Sequence, residues 1–89
     1  MAYQVVYEKL AVKSLKSIDK GQQLMIVAWI EKNLKGTTHP KQHGKALKGE
    51  LKEYWRYRVG NYRILADIDS DEIKIIVVGI GHCKDIYKS

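Results

Sequence analysis

Arg56, Arg58 and Arg63 are the only arginines in the chain, and they fall within eight residues. Between them Gly60-Asn61 separates two runs that alternate apolar and polar residues, the pattern of a hairpin with a two-residue turn. Such a turn fixes the register: Val59 faces Tyr62, Arg58 faces Arg63 and Tyr57 faces Ile64. Trp55, Tyr57, Val59, Tyr62, Ile64, Ala66 and Ile68 then share one face, apolar enough to be core; Tyr54, Arg56, Arg58, Arg63, Leu65 and Asp67 share the other. Like charges set directly opposite each other destabilise a sheet, and an anion between them removes that cost. A planar guanidinium suits the task because it donates two hydrogen bonds to one phosphate and stays charged at any cellular pH. Tyr54 on the same face is placed to stack on a base. The competing account is structural, with Asp67 or an acid elsewhere neutralising the arginines, or the arginines splaying into water.

The run Gly81-His82-Cys83-Lys84-Asp85-Ile86-Tyr87 follows the last apolar stretch, so its side chains emerge at the end of a sheet. Imidazole is the side chain suited to acid–base work near neutral pH, which marks His82, and a tyrosine among cations can exchange a proton, which marks Tyr87. The ordinary alternatives are a surface histidine and a tyrosine that plugs the core. His39 and His43 stand four apart, but a zinc site needs three or four ligands on a rigid frame, and only His82 and Cys83 stand elsewhere to complete one. No metal or other cofactor is expected.

The setting of these residues narrows the class of protein. Of the formal net charge of +6, the stretch from Lys41 to Arg63 supplies +5, with seven basic residues against Glu50 and Glu53. A concentration of that kind points to an anionic partner, nucleic acid above all. Cys83 is the single cysteine and cannot form an internal disulfide; the N-terminus lacks a secretory pattern, and no apolar run approaches the ~20 residues that span a bilayer. The expectation is a cytoplasmic protein without a membrane segment. Its 89 residues read as one domain, 1–89, with no repeat and no linker.

The elements that must carry the site follow from periodicity. Tyr3, Val5 and Tyr7 alternate as a first strand. Ala11, Leu15 and Ile18 form one stripe of a helix, with Lys9, Lys13 and Lys16 opposite. Asp19 and Gln22 form a variant capping box ahead of a second helix running to about Lys35 and stopped by Gly36. That helix carries apolar residues on more than one stripe, which predicts packing on both the first helix and a sheet, with Trp29 in the core. Residues 37–45, with Pro40 and Gly44, read as an exposed loop. Strands follow over 54–59, 62–68 and 73–80, the last so continuously apolar that it should be central and covered on both faces. The expected class is α+β in the order β-α-α-β-β-β, two helices packed on a small, mainly antiparallel sheet.

This order, the segment Lys45-Ala46-Leu47-Lys48-Gly49-Glu50-Leu51, the stretch Trp55-Arg56-Tyr57-Arg58-Val59-Gly60-Asn61-Tyr62-Arg63-Ile64 and the ending Gly81-His82-Cys83-Lys84-Asp85-Ile86-Tyr87 together resemble the RelE/ParE toxin superfamily, on its RelE side. The resemblance spans nearly the whole chain. It implies the toxin of a type II toxin–antitoxin pair, a ribosome-dependent endoribonuclease that cuts messenger RNA in the ribosomal A site and inhibits translation. The ribose 2′-oxygen would attack the adjacent phosphorus in line, without a metal, leaving a 2′,3′-cyclic phosphate and a free 5′-hydroxyl.

Carried over position by position, the resemblance assigns Arg63, with Arg56 and Arg58, to the phosphoryl oxygens, and matches Tyr87 to a C-terminal tyrosine of the family. Tyr87 and His82 are the candidates for proton transfer, with Glu50 behind them and the order of acid and base open; Lys48, Lys52, Tyr54 and Lys84 complete the RNA-binding set. One departure stands out: after the Gly-His pair many RelE-like sequences carry Arg where this chain has Cys83, and Lys84 beside it is not an equivalent phosphate ligand. Partners implied are a RelB-like antitoxin, whose acidic residues meet the arginines, the ribosome and mRNA. Two other readings stay open at this point, a ParE-like toxin that poisons DNA gyrase and a catalytically impaired RelE homologue that only binds.

Overall fold

The computed structural model describes residues 2–47 and 54–82. Strand β1 (Gln4–Tyr7) leads into helix α1 (Lys9–Lys16), whose Ala11 is fully buried while Leu15, and Ile18 just beyond it, pack against the core. The lysines of α1 face away, as the spacing predicts. Helix α2 (Lys20–Asn33) starts at Asp19, whose Oδ2 accepts from the Gly21 amide at 3.2 Å. The reach back across this cap comes from Gln23 rather than the expected Gln22: its Nε2 donates to the Ile18 carbonyl at 2.6 Å. Helix α2 ends at Leu34, and Gly36 (φ +80°) takes the left-handed turn that lets its amide donate to Tyr3.

Strands β2 (Lys45–Leu47), β3 (Tyr54–Val59), β4 (Tyr62–Asp69) and β5 (Lys74–His82) join β1 in a sheet of order β1-β5-β4-β3-β2. The β1–β5 pair is parallel and the other three are antiparallel, so the α+β expectation holds with one strand added. Strand β2 starts on the last residue of the expected loop and runs where no element was expected. Three residues are too few to show a period, and β2 exists because β3 offers it a partner edge. The preceding loop is also less exposed than its composition suggests, since Pro40 is buried.

The hairpin register is the one the turn dictates: Val59 pairs with Tyr62, Arg58 with Arg63 and Tyr57 with Ile64. Gly60 (φ +59°) supplies the positive φ at the first turn position. The core lies between the sheet and the two helices, built from Ile26 and Ile30 of α2, Tyr57, Ile64 and Ala66 of the hairpin, and Ile75 and Val77 of β5. Strand β5 has a strand on each side but is not covered on both faces. Ile75, Val77 and Ile80 are buried, whereas Ile76 and Val78 are half-exposed on the far face. It begins one residue later than its apolar run suggests, because Ile73 adopts φ +55°, a conformation β-branched residues avoid. The Asp69 carboxylate, accepting from the Asp71 and Glu72 amides at 3.1 Å, holds that turn in place. No helix among the described residues is long and apolar enough to cross a membrane.

Candidate nucleic-acid interface

Alternation along β3 sends Trp55, Tyr57 and Val59 to the helices and Tyr54, Arg56 and Arg58 to the other side. Pairing then sets Arg58 opposite Arg63 on β4, and Lys45 opposite Arg56 on β2. Two like-charged cross-strand pairs therefore stand side by side on one face. They line a cleft of about 320 Å³ whose walls are Gly44, Lys45, Arg56, Arg58 and Arg63. Arg63 is 5% exposed and held by contacts within the fold, which makes it the floor of the cleft; Arg56 is half-buried and Arg58 exposed. The Arg58 Nε leans toward the Gly60 carbonyl at 3.4 Å. Four cations lining one concavity have the chemistry to hold an anion with several oxygens, such as a phosphodiester.

The rim nearest β2 is built with unusual care. Gly44 (φ +88°) presses on β3 so closely that a Cβ there would lie 2.1 Å from the Arg56 carbonyl oxygen and 3.0 Å from Trp55 Nε1. The Trp55 indole donates to the His43 carbonyl at 2.6 Å, and the Tyr57 hydroxyl donates to the Pro40 carbonyl at 2.5 Å. Lys41 Nζ sits 5.5 Å from the centre of the Trp55 ring, and the Trp29 ring meets both His43 (5.8 Å) and Tyr57 (5.7 Å). Burial pushes the Tyr57 phenol well above its ordinary pKa. Trp29 is thus part of the packing, as its place on α2 suggests.

His82 is not brought into the cleft. Between β4 and β5 the register shifts: Leu65 pairs with Gly79 but Ala66 with Val77, leaving Val78 as the extra residue of a bulge. One inserted residue reverses which side chains face the core. In an unbroken strand phased on the buried Ile75 and Val77, residue 82 would face the arginines; after the bulge Ile80 is buried, and His82 pairs with Tyr62 on the helix side. Its ring meets Tyr62 edge-on at 5.3 Å. The side-chain-free Gly79 and Gly81 take the places opposite Leu65 and Arg63 instead.

Of the other residues expected from sequence, Tyr54 is on the arginine face two positions from Arg56, at the far end of β3 from the hairpin turn. Lys48, Glu50 and Lys52, and Cys83, Lys84 and Tyr87, lie outside the described residues. Sequence reasoning missed Lys45 and Gly44 as parts of the site. Their signal was present in the Gly-Lys step before Ala46-Leu47, but it becomes legible only once β2 is known to be a strand.

Comparison with known proteins adds a family. Over residues 5–87 the chain matches the family model described as ParE toxin of type II toxin–antitoxin system, parDE. Among solved structures it is similar to one in the toxin–antitoxin complex RelBE2 from Mycobacterium tuberculosis, with TM-score 0.82 and 24% identity over 92% of this chain and 99% of that one. It is also similar to one in the RelB–RelE antitoxin–toxin complex from Methanococcus jannaschii (TM-score 0.58, 27% identity, 93% and 95% covered). A third is a free-state mutant of the E. coli toxin RelE (TM-score 0.74, 15% identity, 99% and 93% covered). No curated protein matches the chain in sequence.

Proposed function

The chain belongs to the ParE toxin family of type II toxin–antitoxin systems, and from that premise we propose that it is a RelE-type endoribonuclease which cuts mRNA on the ribosome, in the cytoplasm, and is neutralised by a RelB-like antitoxin. The observation that carries this reading is the cleft lined by Lys45, Arg56, Arg58 and Arg63, a concave site with four cations on the face of the sheet away from the helices. The antitoxin reading is supported by the M. tuberculosis and M. jannaschii structures, both complexes of toxin with antitoxin.

In the proposed reaction the substrate's own 2′-oxygen is the nucleophile. It attacks phosphorus, the bond to the 5′-oxygen breaks, and the products are a 2′,3′-cyclic phosphate and a 5′-hydroxyl. Arg63, with Arg56 and Arg58, stabilises charge developing on the phosphoryl oxygens; cations held in place beforehand do this with little reorganisation. One group must take the 2′-proton and another must protonate the leaving 5′-oxygen. With His82 turned toward Tyr62 on the helix side, those roles fall to Tyr87 and Glu50. Lys48, Lys52, Tyr54 and Lys84 extend the grip along the RNA strand.

Mapping transcript 5′ ends after induced expression tests the proposal. Cuts within codons, reduced about 10²–10³-fold by Arg63→Ala, are the expected result. The family model's own description, ParE, favours a second reading, a gyrase poison that leaves RNA whole. Intact transcripts with damaged DNA would establish it. Cys83→Arg raises cleavage if the cysteine weakens the site; unchanged cleavage would show that Lys84 already fills the place.

A further inference from the structure

Lys45 has no assigned role, yet it faces Arg56 across the β2–β3 pair and forms one wall of the cleft. Strand β2 has three residues, lies at the sheet edge and hydrogen-bonds to a single neighbour, β3. What holds its start is the loop before it, and that loop is fastened by two hydrogen bonds from the opposite face of β3. The Trp55 indole N–H takes the His43 carbonyl, one residue from Gly44 and two from Lys45, and the Tyr57 hydroxyl takes the Pro40 carbonyl. Gly44 completes the fastening, because the absence of a Cβ lets the backbone settle on the Arg56 carbonyl beside Trp55 Nε1.

We propose that Lys45 is a fourth phosphate ligand of the cleft and that Trp55 is its positioning residue, acting through the His43 carbonyl and Gly44. Trp55 touches no substrate. Lysine is a compact charge on a flexible stem with no rigid fork to aim it, so the backbone that carries it sets which part of the cleft its ammonium reaches. A hydrogen bond that pins the backbone two residues away supplies that control. The inference rests on reading the cleft as an RNA-phosphate site.

The test measures binding of a single-stranded RNA oligonucleotide with 2′-O-methyl riboses, which the protein cannot cut, as a function of salt. Lys45→Ala should weaken binding about tenfold. It should also lower the slope of log K against log salt by about 0.7, the value for one phosphate contact on a single strand. Lys45→Arg should restore both. Trp55→Phe keeps an aromatic ring beside Lys41 but loses the N–H together with the five-membered ring of the indole; it should reproduce the Lys45→Ala loss and the reduced slope, and the double variant should lose no more than either single one. Tyr57→Phe, which loosens the same loop at Pro40, is the second variant should Trp55→Phe fail to fold.

Additive losses, or a lower melting temperature with an unchanged salt slope, would overturn the positioning role, and an unchanged slope for Lys45→Ala would overturn the phosphate contact. Arg63→Ala separates the two levels. If the wild-type protein binds no RNA, or Arg63→Ala leaves binding intact, the reading of the cleft falls and this inference with it. If Arg63→Ala abolishes binding while Trp55→Phe does not couple to Lys45→Ala, the inference alone fails.

Discussion

The two faces of the β3–β4 hairpin are made by the same residues of backbone and do opposite work. Toward the helices, Tyr57, Ile64 and Ala66 are wholly buried, and their removal from water is what stabilises the domain. Toward the cleft, Arg58 faces Arg63 and Lys45 faces Arg56, pairs of like charge whose mutual repulsion a bound anion would relieve. Alternation separates the two roles residue by residue, so stability and binding can be perturbed independently within six residues of one strand.

The sharpest break in this division comes from the core face. Tyr57→Ala removes a fully buried aromatic that also holds Pro40, and should cost about 3–5 kcal/mol in denaturant unfolding. Gly44→Ala should come next. It sets a Cβ against the Arg56 carbonyl and forces a positive φ on alanine, strain on the order of 1–3 kcal/mol, visible as a lowered melting temperature and as RNA binding weakened beyond what the stability loss explains.

A third experiment reads pH. Burial raises the Tyr57 phenol, and burial followed by the nearby Glu31 carboxylate raises that of Tyr7. In the unfolded chain both ionise near the usual value of about 10, so the unfolded state releases its protons first. Stability should be fully present below that pH and fall as pH rises above it toward the folded-state values. Tyr57→Phe should cost about 1 kcal/mol at neutral pH, for the hydroxyl's bond to Pro40, and flatten this alkaline decline.

The smallest effect should have the opposite sign. Arg58→Gln removes one partner of a like-charged pair and should raise stability by roughly 0.2–1 kcal/mol at low salt, while RNA binding weakens. A loss of stability instead would mean that Arg58 belongs to the structural side of the division after all.

How much of this could be read in advance depended on whether the signal was local. The Gly60-Asn61 turn fixes its own register, so the arginine face was legible before any coordinates were. The edge strand β2 was not, since its existence depends on β3 and on three aromatic side chains that reach around to grip the preceding loop. Nor was the side of the sheet on which His82 falls. The bulge at Val78 is a mismatch between two strands, and neither strand alone carries it in its composition. A continuous apolar run such as 75–78 gives no phase to contradict it, which is also why coverage of both faces of β5 was expected and one face found.

The pairing of β1 with β5 sets a timetable for the making of the molecule. Gln4 lies beside Lys74 and Tyr7 beside Val77, contacts separated by about seventy positions in the order of synthesis. The hairpin, by contrast, closes between near neighbours and can form as soon as it leaves the ribosome. Folding can therefore bring the arginines of the hairpin together before β5 arrives to seat Arg63, and β1 cannot pair until β5 is in place. The cleft is complete only once β5 has paired with β4, so whatever meets the hairpin before that pairing meets its arginines without the seat of Arg63.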